Sequence, residues 1–592
     1  MKKIIFAFSL ILLLFITSKT LLPGNTAMFM AHDETQAARI QQFQLNIHEG
    51  NIPPRIAPDF SFGLGYPIFN YYAPFPYWVA FAFQSLGLPL ISAMKMTYVL
   101  AIIVGFSSIF LLLKRLFTFY PAVLGGLIYA TSPYIAVDIY VRGNMGETWV
   151  FALLPLALYM LLTNSKKRFI FTAFILSFLF TSHNILSLIS LLLVSIFSVL
   201  VGKKLLNILS VGFGLLLSSY FLIPAALELH QVQATNIATK TNYADHFLCL
   251  SQVWSSLWGY AGSAPGCTAD GMSFMLGKLP ILLGIAGILI FIYYQYIYKP
   301  KKHLVFINNQ LLQIVNRLND IFPFFSKDEK LPITESKNIY LFVLLTTIVS
   351  LYLTTYASAW FWNLFHPIFS LFQFPWRFLM FTLFGLSFFT AYSLSYGSKK
   401  IQMIGTLAVV FLIFLIHPKY FVGQTISNDE FTKRYLSSQY IKNSVAYKVA
   451  EYLPTSVNFE KWKTLEKNPK KANISSIVVN NNKKQILAVE EKPFSHLFMA
   501  KSVDPVIANI HYAPYWKISR DYVEFIPSHF DDLGRPYIPV SDRGYTSVQI
   551  KYEQTSIEIF ANLLSILASV ILIGFTLKQY TLTWKNTIIK KK

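Results

Sequence analysis

The sequence predicts a polytopic α-helical membrane protein with about twelve transmembrane helices and a C-terminal, extracytoplasmic β-sandwich-like domain before the last helix. Three observations predict this fold class. Of the 592 residues, 54% are hydrophobic and only 13% are charged, whereas a soluble chain carries about 25% charged residues. Apolar runs near the roughly 20-residue spanning length recur along the chain. Short clusters of Lys and Arg separate these runs, as in cytoplasmic loops of membrane proteins.

These basic clusters orient the predicted spans, because cytoplasmic loops carry an excess of Lys and Arg. Lys2-Lys3 precede the first span, at about 4–22, which we interpret as a retained anchor. The remaining spans are expected at about 91–113, 119–138, 149–164, two short helices within 169–201, 205–224, 277–297, 339–356, 378–396, 401–417 and 558–577. The loops 23–89 and 225–275 then lie outside. The loop 299–337, with Lys299, Lys301 and Lys302, lies in the cytoplasm with both termini, including Lys590-Lys591-Lys592.

Composition divides the chain into three parts. Residues 1–417 are expected to form the transmembrane domain, and residues 557–592 the last helix and a basic cytoplasmic tail. Residues 418–556 between them are polar and include β-prone patches such as 547–552, which alternates polar and apolar residues. Short strands separated by glycine-containing turns favour a β-sandwich.

The net charge of +22 is interpreted as a consequence of membrane topology. It arises from 50 Lys and Arg against 28 Asp and Glu, and the basic residues cluster between apolar runs. Contact with anionic membrane lipid explains this pattern better than nucleic-acid binding does. The plasma membrane is therefore the expected location, with no nucleic-acid partner.

Cys249 and Cys267 are the two cysteines, and both fall in the outer loop 225–275. A disulfide between them is compatible with an oxidising compartment. Two unpaired cysteines are equally compatible with the sequence, and the two cysteines form no zinc-binding pattern.

Ionisable residues gather at the outer ends of the predicted spans, which makes a functional-site hypothesis. They are His32, Asp33, Glu34 and Arg55 in the first outer loop, Arg142 and Glu147 in the second, His183 at the next outer turn, and Arg377 where the tenth span begins. Arg39 and Asp138 are interpreted as charges that only solvate the interface.

The residue types in this group predict two chemical tasks. Asp33 could act as a general base that accepts a proton from a sugar hydroxyl. His32 or Glu34 could tune the pKa of Asp33 or help hold a divalent cation such as Mg²⁺ or Mn²⁺. The sequence leaves open which cofactor the protein uses, if any. An arginine stays charged and grips phosphate oxygens, so Arg55, Arg142 and Arg377 are candidates for binding a lipid phosphate. The alternative for each arginine is snorkelling or a salt bridge.

The aromatic run 66–78 contains three prolines, which exclude a long helix across it. Tyr and Trp are typical of membrane interfaces. We interpret the run as an extended segment in the headgroup layer.

Several segments resemble known membrane-protein families. Residues 32–80, "HDETQAARIQQFQLNIHEGNIPPRIAPDFSFGLGYPIFNYYAPFPYWVA", resemble the opening signature of the 6-pyruvoyl-tetrahydropterin synthase-related membrane proteins. Residues 140–156, "YVRGNMGETWVFALLPL", and 371–379, "LFQFPWRFL", are similar to later markers of that family. Residues 512–518, "YAPYWKI", and 531–555, "DDLGRPYIPVSDRGYTSVQIKYEQT", resemble the outer β-domain of YfhO-like membrane proteins.

The resemblance implies the architecture of GT-C glycosyltransferases, which take sugars from polyprenyl-phosphate carriers at the outer face. It implies catalytic acids after the first span, matched by Asp33 with Glu34 beside it, and in the next outer loop, matched by Glu147 and more weakly by Asp138. Arg377 is placed where the family would hold the carrier phosphate. The predicted substrate- and phosphate-binding residues are thus His32, Arg55, Arg142, His183 and Arg377. A clear DxD pair is missing from the sequence.

Three functions are compatible with this reading. The first is transfer of a sugar from a polyprenyl-phosphate donor to an envelope glycan, lipid or protein acceptor. The second is transport or flipping of lipid-linked intermediates, although transporters bind their substrates near mid-membrane. The third is a non-catalytic envelope assembly protein that binds glycan or protein through Trp516, which is better explained as a core aromatic of the sandwich.

Overall fold

The structure is a computed structural model that describes residues 2–22, 24–234, 242–297, 336–467, 478–479 and 485–589. The described chain is mostly helical, as expected of a polytopic membrane protein. The predicted basic residues Lys299, Lys301 and Lys302, with nearly all of their loop, lie outside the described residues. So do Lys590, Lys591 and Lys592.

The helices are named in chain order. Those in the first half are α1 (Lys2–Thr17), α2 (Gln36–His48), α3 (Ile68–Tyr71), α4 (Phe75–Ser85), α5 (Leu90–Leu116), α6 (Phe119–Ala130), α7 (Pro133–Ala136), α8 (Met145–Leu162), α9 (Phe169–Phe180), α10 (Asn184–Leu200), α11 (Lys204–Leu217) and α12 (Ser219–Leu227). Those that follow are α13 (Leu250–Trp254), α14 (Lys278–Ile292), α15 (Ser336–Leu353), α16 (Ala359–Leu364), α17 (His366–Phe369), α18 (Leu379–Ser395), α19 (Lys399–Ile416), α20 (Asn428–Tyr435), α21 (Ser438–Asn443), α22 (Phe459–Lys467) and α23 (Ser556–Ile589).

Within the described residues, six helical segments are long and apolar enough to cross a membrane, and two bent helix pairs raise the number to as many as eight. The six are Leu90–Leu116, Met145–Leu162, Lys278–Gln295, Pro375–Ser395, Lys399–Tyr420 and Ser556–Phe575. Three shorter apolar helices are Phe169–Phe180, Asn184–Leu200 and Lys337–Leu353. The polytopic prediction is therefore supported, whereas twelve spans stay a prediction because the shorter helices fall below about 20 residues.

The predicted straight span 119–138 is broken in the structure. Helix α6 ends at Ala130, and a segment bent by 40° continues through α7 and the π-helix Val137–Arg142. Pro133 begins this segment, and Gly143 ends it with a left-handed φ of +66°. Proline interrupts a helix because it has no backbone N–H to donate. Glycine ends one because it readily adopts the left-handed φ. Consequently Asp138 and Arg142 lie on a buried helical turn, where an open loop was expected.

The predicted extended conformation of the aromatic run 66–78 is wrong. The run folds into α3 and the first turn of α4, with Pro67 at one N-cap and Pro74 at the other. Proline is tolerated at the start of a helix. The backbone N–H groups of the first turn have no acceptor within the helix, so the N–H that proline lacks is not missed there. Tyr66, Tyr71 and Tyr77 are buried in the main hydrophobic core, so the run is a packing element.

Ten strands form three antiparallel sheets among the described residues. They are β1 (Ala27–Met30), β2 (Gln424–Ser427), β3 (Val478–Val479), β4 (Gln485–Lys492), β5 (Ser495–Lys501), β6 (Val506–Ala508), β7 (Trp516–Arg520), β8 (Val523–Phe525), β9 (Tyr537–Ile538) and β10 (Thr546–Tyr552). The sheet orders are β1-β2, β4-β5-β10-β7-β8 and β3-β6-β9. Trp516 is only 2% exposed in the core beside these sheets.

Two long-range links connect residues 23–89, the predicted first outer loop, to the rest of the chain. Strand β1 pairs with β2, in the register Ala27 with Ser427. Gly65 leaves room for the Trp516 ring, which lies 3.4 Å from where a Cβ would stand. The question left open for the cysteines is also answered, because Cys249 and Cys267 form a disulfide.

Candidate functional site

The carboxylate of Glu147 is the centre of a buried charge cluster. Asn144 caps helix α8 by accepting a hydrogen bond from the Glu147 backbone N–H at 2.9 Å, which fixes Glu147 in the first turn. Arg142 donates from Nη2 to Glu147 Oε1 at 2.8 Å and from Nη1 to Oε2. Arg377 donates from Nε to Oε1 at 2.9 Å. A carboxylate excluded from water in this way requires such cationic partners.

Arg142 is held on every side by residues that are themselves buried. Its Nη1 also donates to Asp138 Oδ1 at 2.6 Å, one helical turn earlier. Its guanidinium lies over the Trp376 ring, with Cζ 4.4 Å from the ring centroid. Stacking on an aromatic face complements the planar cation. Arg142 is therefore locked in place and contributes its positive charge without moving.

Arg377 is slightly more exposed than Arg142, with 11% of its side chain exposed against 8%. Its Nη1 donates to the Phe372 carbonyl at 3.1 Å, and its guanidinium lies 4.9 Å from the Phe374 ring centroid. Arg377 and Glu147 are separated by 230 residues in the sequence. The structure thus brings together two of the family-like segments, residues 140–156 and 371–379, in one cluster.

His183 completes the cluster as a neutral imidazole. Its Nδ1 accepts hydrogen bonds from the backbone N–H groups of Ile185 and Leu186, both at 3.2 Å, so the proton lies on Nε2. Nε2 is 3.6 Å from Glu147 Oε1. Burial lowers the pKa of His183 to about 3, because the attraction of Glu147 does not offset the loss of water and the repulsion of both arginines.

Asp33 is positioned by its backbone on the turn that carries Arg142. The N–H of His32 donates to the Val141 carbonyl and the N–H of Asp33 to the Arg142 carbonyl, both at 2.8 Å. Unlike Glu147, Asp33 keeps 29% of its side chain exposed. Asp33 is therefore more exposed than Asp138 and Glu147, the two carboxylates that Arg142 binds.

Asp33 is also held in its ionised form. Burial alone would raise the pKa of its carboxyl, but His32 Nδ1 lies 3.1 Å from Oδ1, and the charges of Arg142 and Arg39 are nearby. Together these groups leave the pKa below its ordinary value. Asp33 is thus a partly exposed carboxylate that is ionised at neutral pH and has the charge state of a general base.

Gly143 lets the Asp33 loop approach the Arg142 turn. A Cβ added there would stand 2.6 Å from Ala31 Cβ, and the φ of +66° is strained for any other residue. We expect Gly143→Ala to lower the free energy of unfolding by about 1–3 kcal/mol and to displace Asp33. Thermal unfolding in detergent measures the effect. Gly544→Ala is the control, because nothing lies within 4 Å of that Cβ; equal stability of the two variants would contradict the assignment.

The other predicted site residues lie apart from this cluster. Glu34 accepts a hydrogen bond from Tyr440 Oη at 3.1 Å and is 3.5 Å from Lys448 Nζ. Arg55 is 1% exposed and donates to Asn70 Oδ1 and Asn562 Oδ1, both at 3.0 Å. Glu34 therefore joins the first outer loop to the segment after α19. Arg55 joins the same loop to the last helix, α23.

Arg39 and Asp138 are not interface solvation, contrary to the prediction. Arg39 is 2% exposed and lies over the Tyr72 ring at 4.3 Å, and Asp138 is fully buried. Sequence reasoning also missed Trp376, although it stands beside Arg377 in the quoted marker. An aromatic residue next to an arginine was the available signal for stacking.

The acidic residues of the site are matched by arginines and do not gather as metal ligands. Among the described residues, no group of three or more His, Cys, Asp or Glu could hold a metal ion. The divalent cation therefore stays a prediction.

The described part of the chain contains an apolar cavity of about 990 Å³. Its wall includes Phe75, Trp78, Phe178, Tyr220 and Ile566, from α4, α9, α12 and α23. The Phe75 ring stands 5.0 Å edge-on from Trp149 of α8, the helix that begins at Met145 and carries Glu147 in its first turn.

Residues 69–254 match the family model of the 6-pyruvoyl-tetrahydropterin synthase related domain, which is described as a membrane protein. The match includes Arg142, Glu147 and His183, and it confirms the predicted resemblance to this family over that part of the chain. Asp33 and Arg377 lie outside it. No curated protein matches the chain.

Proposed function

We propose that the protein is a GT-C-like membrane glycosyltransferase that moves a sugar from a polyprenyl-phosphate donor to an envelope glycan, lipid or protein acceptor at the extracytoplasmic face. One observation carries the proposal. A partly exposed carboxylate, Asp33, is kept ionised beside a buried cluster in which Arg377 is the slightly more exposed arginine. A base and a phosphate-binding cation within one site are the two groups that this transfer needs.

In the proposed reaction, Asp33 accepts the proton of the acceptor hydroxyl as that oxygen attacks the anomeric carbon. The bond from the anomeric carbon to the phosphate oxygen breaks, and its electron pair leaves with the phosphate. Arg377 binds the departing phosphate, while Arg142 adds positive potential from its fixed position. Cations that are positioned before the reaction stabilise the developing charge without reorganising.

The apolar cavity supports a lipid-linked donor. A polyprenyl chain is a hydrocarbon, and its transfer from the bilayer into a groove between helices costs little when the groove is apolar. The cavity is lined mainly by aliphatic and aromatic side chains, and one of its wall residues, Phe75, packs against Trp149 of α8. The carrier chain would lie there with its phosphate toward Arg377.

Two observations support an extracytoplasmic position of the site. The disulfide Cys249–Cys267 is typical of oxidising compartments, and its loop reaches the site, where Trp376 Nε1 donates to Ser263 Oγ at 3.2 Å. Tyr98, near the start of α5, donates to the Gly143 carbonyl at 2.7 Å. The basic pair Lys114-Arg115 stands at the other end of α5, about 24 Å away along the helix.

The proposal includes twelve spans, cytoplasmic termini and an outer β-rich domain at 418–556. The contact of Glu34 with Tyr440 supports a domain that closes over the first outer loop. Binding of glycan through Trp516 is not part of the proposal, because that ring is buried.

A transfer assay with the purified full chain tests the proposal. The protein is reconstituted in vesicles with a radiolabelled polyprenyl-phosphate sugar and a membrane extract as acceptor. We expect label to move to a product that no longer partitions with the carrier. Movement of an unchanged donor between leaflets, without transfer, would favour the transporter instead.

The pH dependence of transfer follows from the lowered pKa of Asp33. The carboxyl must be ionised to accept a proton, so kcat/KM should fall only below about pH 4, the ordinary pKa region of Asp. His32→Ala removes a hydrogen bond that favours the carboxylate. In this variant the pKa of Asp33 rises and the acidic limb of the pH profile moves to higher pH. His529→Ala, at an exposed histidine, is the control; an identical shift in both variants would contradict the role of His32.

A further inference from the structure

The connection between α15 and α18 has an unusual composition for a loop. No Asp, Glu, Lys or Arg occurs from residue 338 to residue 376. This interval covers α15 after Lys337, the helices α16 and α17, and the turns that join them. Loops in water are rich in polar and charged residues, whereas this one continues the composition of its flanking helices. We name residues 355–371 the interfacial segment.

Large apolar side chains of the interfacial segment face outward. Trp360 is 61% exposed, Leu364 64% and Ile368 58%. Tyr356, Phe365 and Leu371 are also exposed. A soluble surface rarely carries so many neighbouring apolar groups without a partner.

The inward side of the segment is packed, so the outward side is a fixed surface. Trp362 is fully buried, and its Nε1 donates to the Leu353 carbonyl at 3.1 Å. Its ring contacts Phe247, Phe369 and Phe378 at centroid distances of 4.9–6.1 Å. Tyr243 Oη donates to Asn363 Oδ1 at 2.6 Å. The packing of Trp362 therefore fixes the segment in the orientation that exposes Trp360 and Ile368.

The outward surface is continuous with that of α15. Leu345, Ile348 and Val349 of this apolar helix are each at least half exposed. In a membrane protein, such side chains face lipid. The interfacial segment begins where α15 ends, so the same lipid surface extends to it. Trp and Tyr prefer the headgroup boundary, because their rings are apolar and carry one polar atom.

We infer that the interfacial segment is inserted in one leaflet of the bilayer, at the boundary between headgroups and hydrocarbon. The occupant of its outward surface is phospholipid. A protein partner is disfavoured, because the rim of an interface between proteins is polar, whereas the exposed side chains of this segment are mainly apolar.

Insertion would also set the height of Arg377. The segment ends at Leu371, and Arg377 donates to the carbonyl of the next residue, Phe372. Phe374, beneath the Arg377 guanidinium, packs against His246 at 4.8 Å. The bilayer would thereby hold Arg377 at the level of lipid phosphates. This second statement rests on the proposed function, whereas the insertion does not.

Single-cysteine labelling tests the insertion. The chain contains Cys249 and Cys267 alone, joined in a disulfide, so an added cysteine is the free thiol. Leu364→Cys and Ile368→Cys are labelled with an environment-sensitive fluorophore in vesicles of phosphatidylcholine and phosphatidylglycerol. Val503→Cys is the control, because Val503 is apolar and 85% exposed among the strands.

We expect the two labels in the interfacial segment to show blue-shifted emission and quenching by lipids that carry a spin label near the headgroup. The control label should show neither change. Emission and quenching equal to the control would overturn the inference. Cross-linking of Ile368→Cys to a second copy or to another protein, with no lipid quenching, would overturn it as well.

A second experiment separates insertion from function. Ile368→Asp should reduce transfer from a long-chain donor in vesicles more than transfer from a short-chain donor in detergent, and Val503→Asp should change neither. If lipid quenching is present but no variant or wild-type protein transfers sugar, the proposed function fails and the insertion stands. Equal reduction with both donors would overturn the link between insertion and the site.

Discussion

Asp33→Asn is expected to lower the rate of sugar transfer by a factor of roughly 10²–10⁴, with an unchanged amount of folded protein in the membrane. Asparagine has the shape of aspartate, and the backbone bond from residue 33 to the Arg142 carbonyl does not involve the side chain. The variant therefore keeps the loop and loses only the base. In cells, the lipid-phosphate sugar should accumulate while one envelope glycan modification disappears.

Glu34→Gln is the matched control for this variant. Glu34 is the adjacent acid, but it is engaged by Tyr440 and Lys448 away from the buried cluster. Its replacement should weaken the contact with the segment after α19 and reduce transfer much less. If Asp33→Asn leaves envelope glycans unchanged while deletion of the protein alters them, Asp33 is not the base. The transporter and assembly functions would then be favoured.

Glu147→Gln is expected to lower the free energy of unfolding by about 3–5 kcal/mol. The substitution keeps the volume but leaves Arg142 and Arg377 in a buried site with Asp138 as the remaining carboxylate. An uncompensated buried charge is far more costly than a lost surface pair. The midpoint of thermal unfolding in detergent and the amount of protein in the membrane measure the change. Transfer should also fall, because both arginines lose their anchor.

An exposed ion pair of the same chemistry provides the control for Glu147→Gln. Glu430 pairs with Arg434 one turn later on α20, and both side chains are about half exposed. Solvent-exposed pairs contribute only about 0–1 kcal/mol. Glu430→Gln should therefore leave the unfolding midpoint nearly unchanged. Similar shifts for the two glutamates would show that the Glu147 cluster does not stabilise the fold.

The sequence predicted the membrane class and several residues that do meet in space. Arg142, Glu147, His183 and Arg377 were selected from separate loops, because a charged residue beside an apolar run is conspicuous. The long apolar helices, such as Leu90–Leu116, were predictable because an apolar run of spanning length has few alternatives. Such features are local, and a local pattern is visible without a structure.

The partners of Arg55 and Arg39 were not predictable from local patterns. Arg55 donates to Asn562, 507 residues later, and Arg39 donates to Tyr77 Oη at 3.3 Å, across the first outer loop. Nothing near an arginine reveals whether its partner is a lipid phosphate or a distant side chain. The bend before Gly143 was missed because the apolar run continues through it, and only Pro133 and Gly143 mark the change.

The pairing of β1 with β2 has a consequence for biosynthesis. Ala27 and Ser427 are paired in the register, so about 400 residues must be added before the strand beside Asp33 can find its partner. At about 5–20 residues per second, the ribosome needs roughly 20–80 s for that interval. During this interval β1 has no strand to pair with, while most of the chain is being synthesised and inserted. A chain released before residue 424 would lack β2, so β1 would have no strand to pair with.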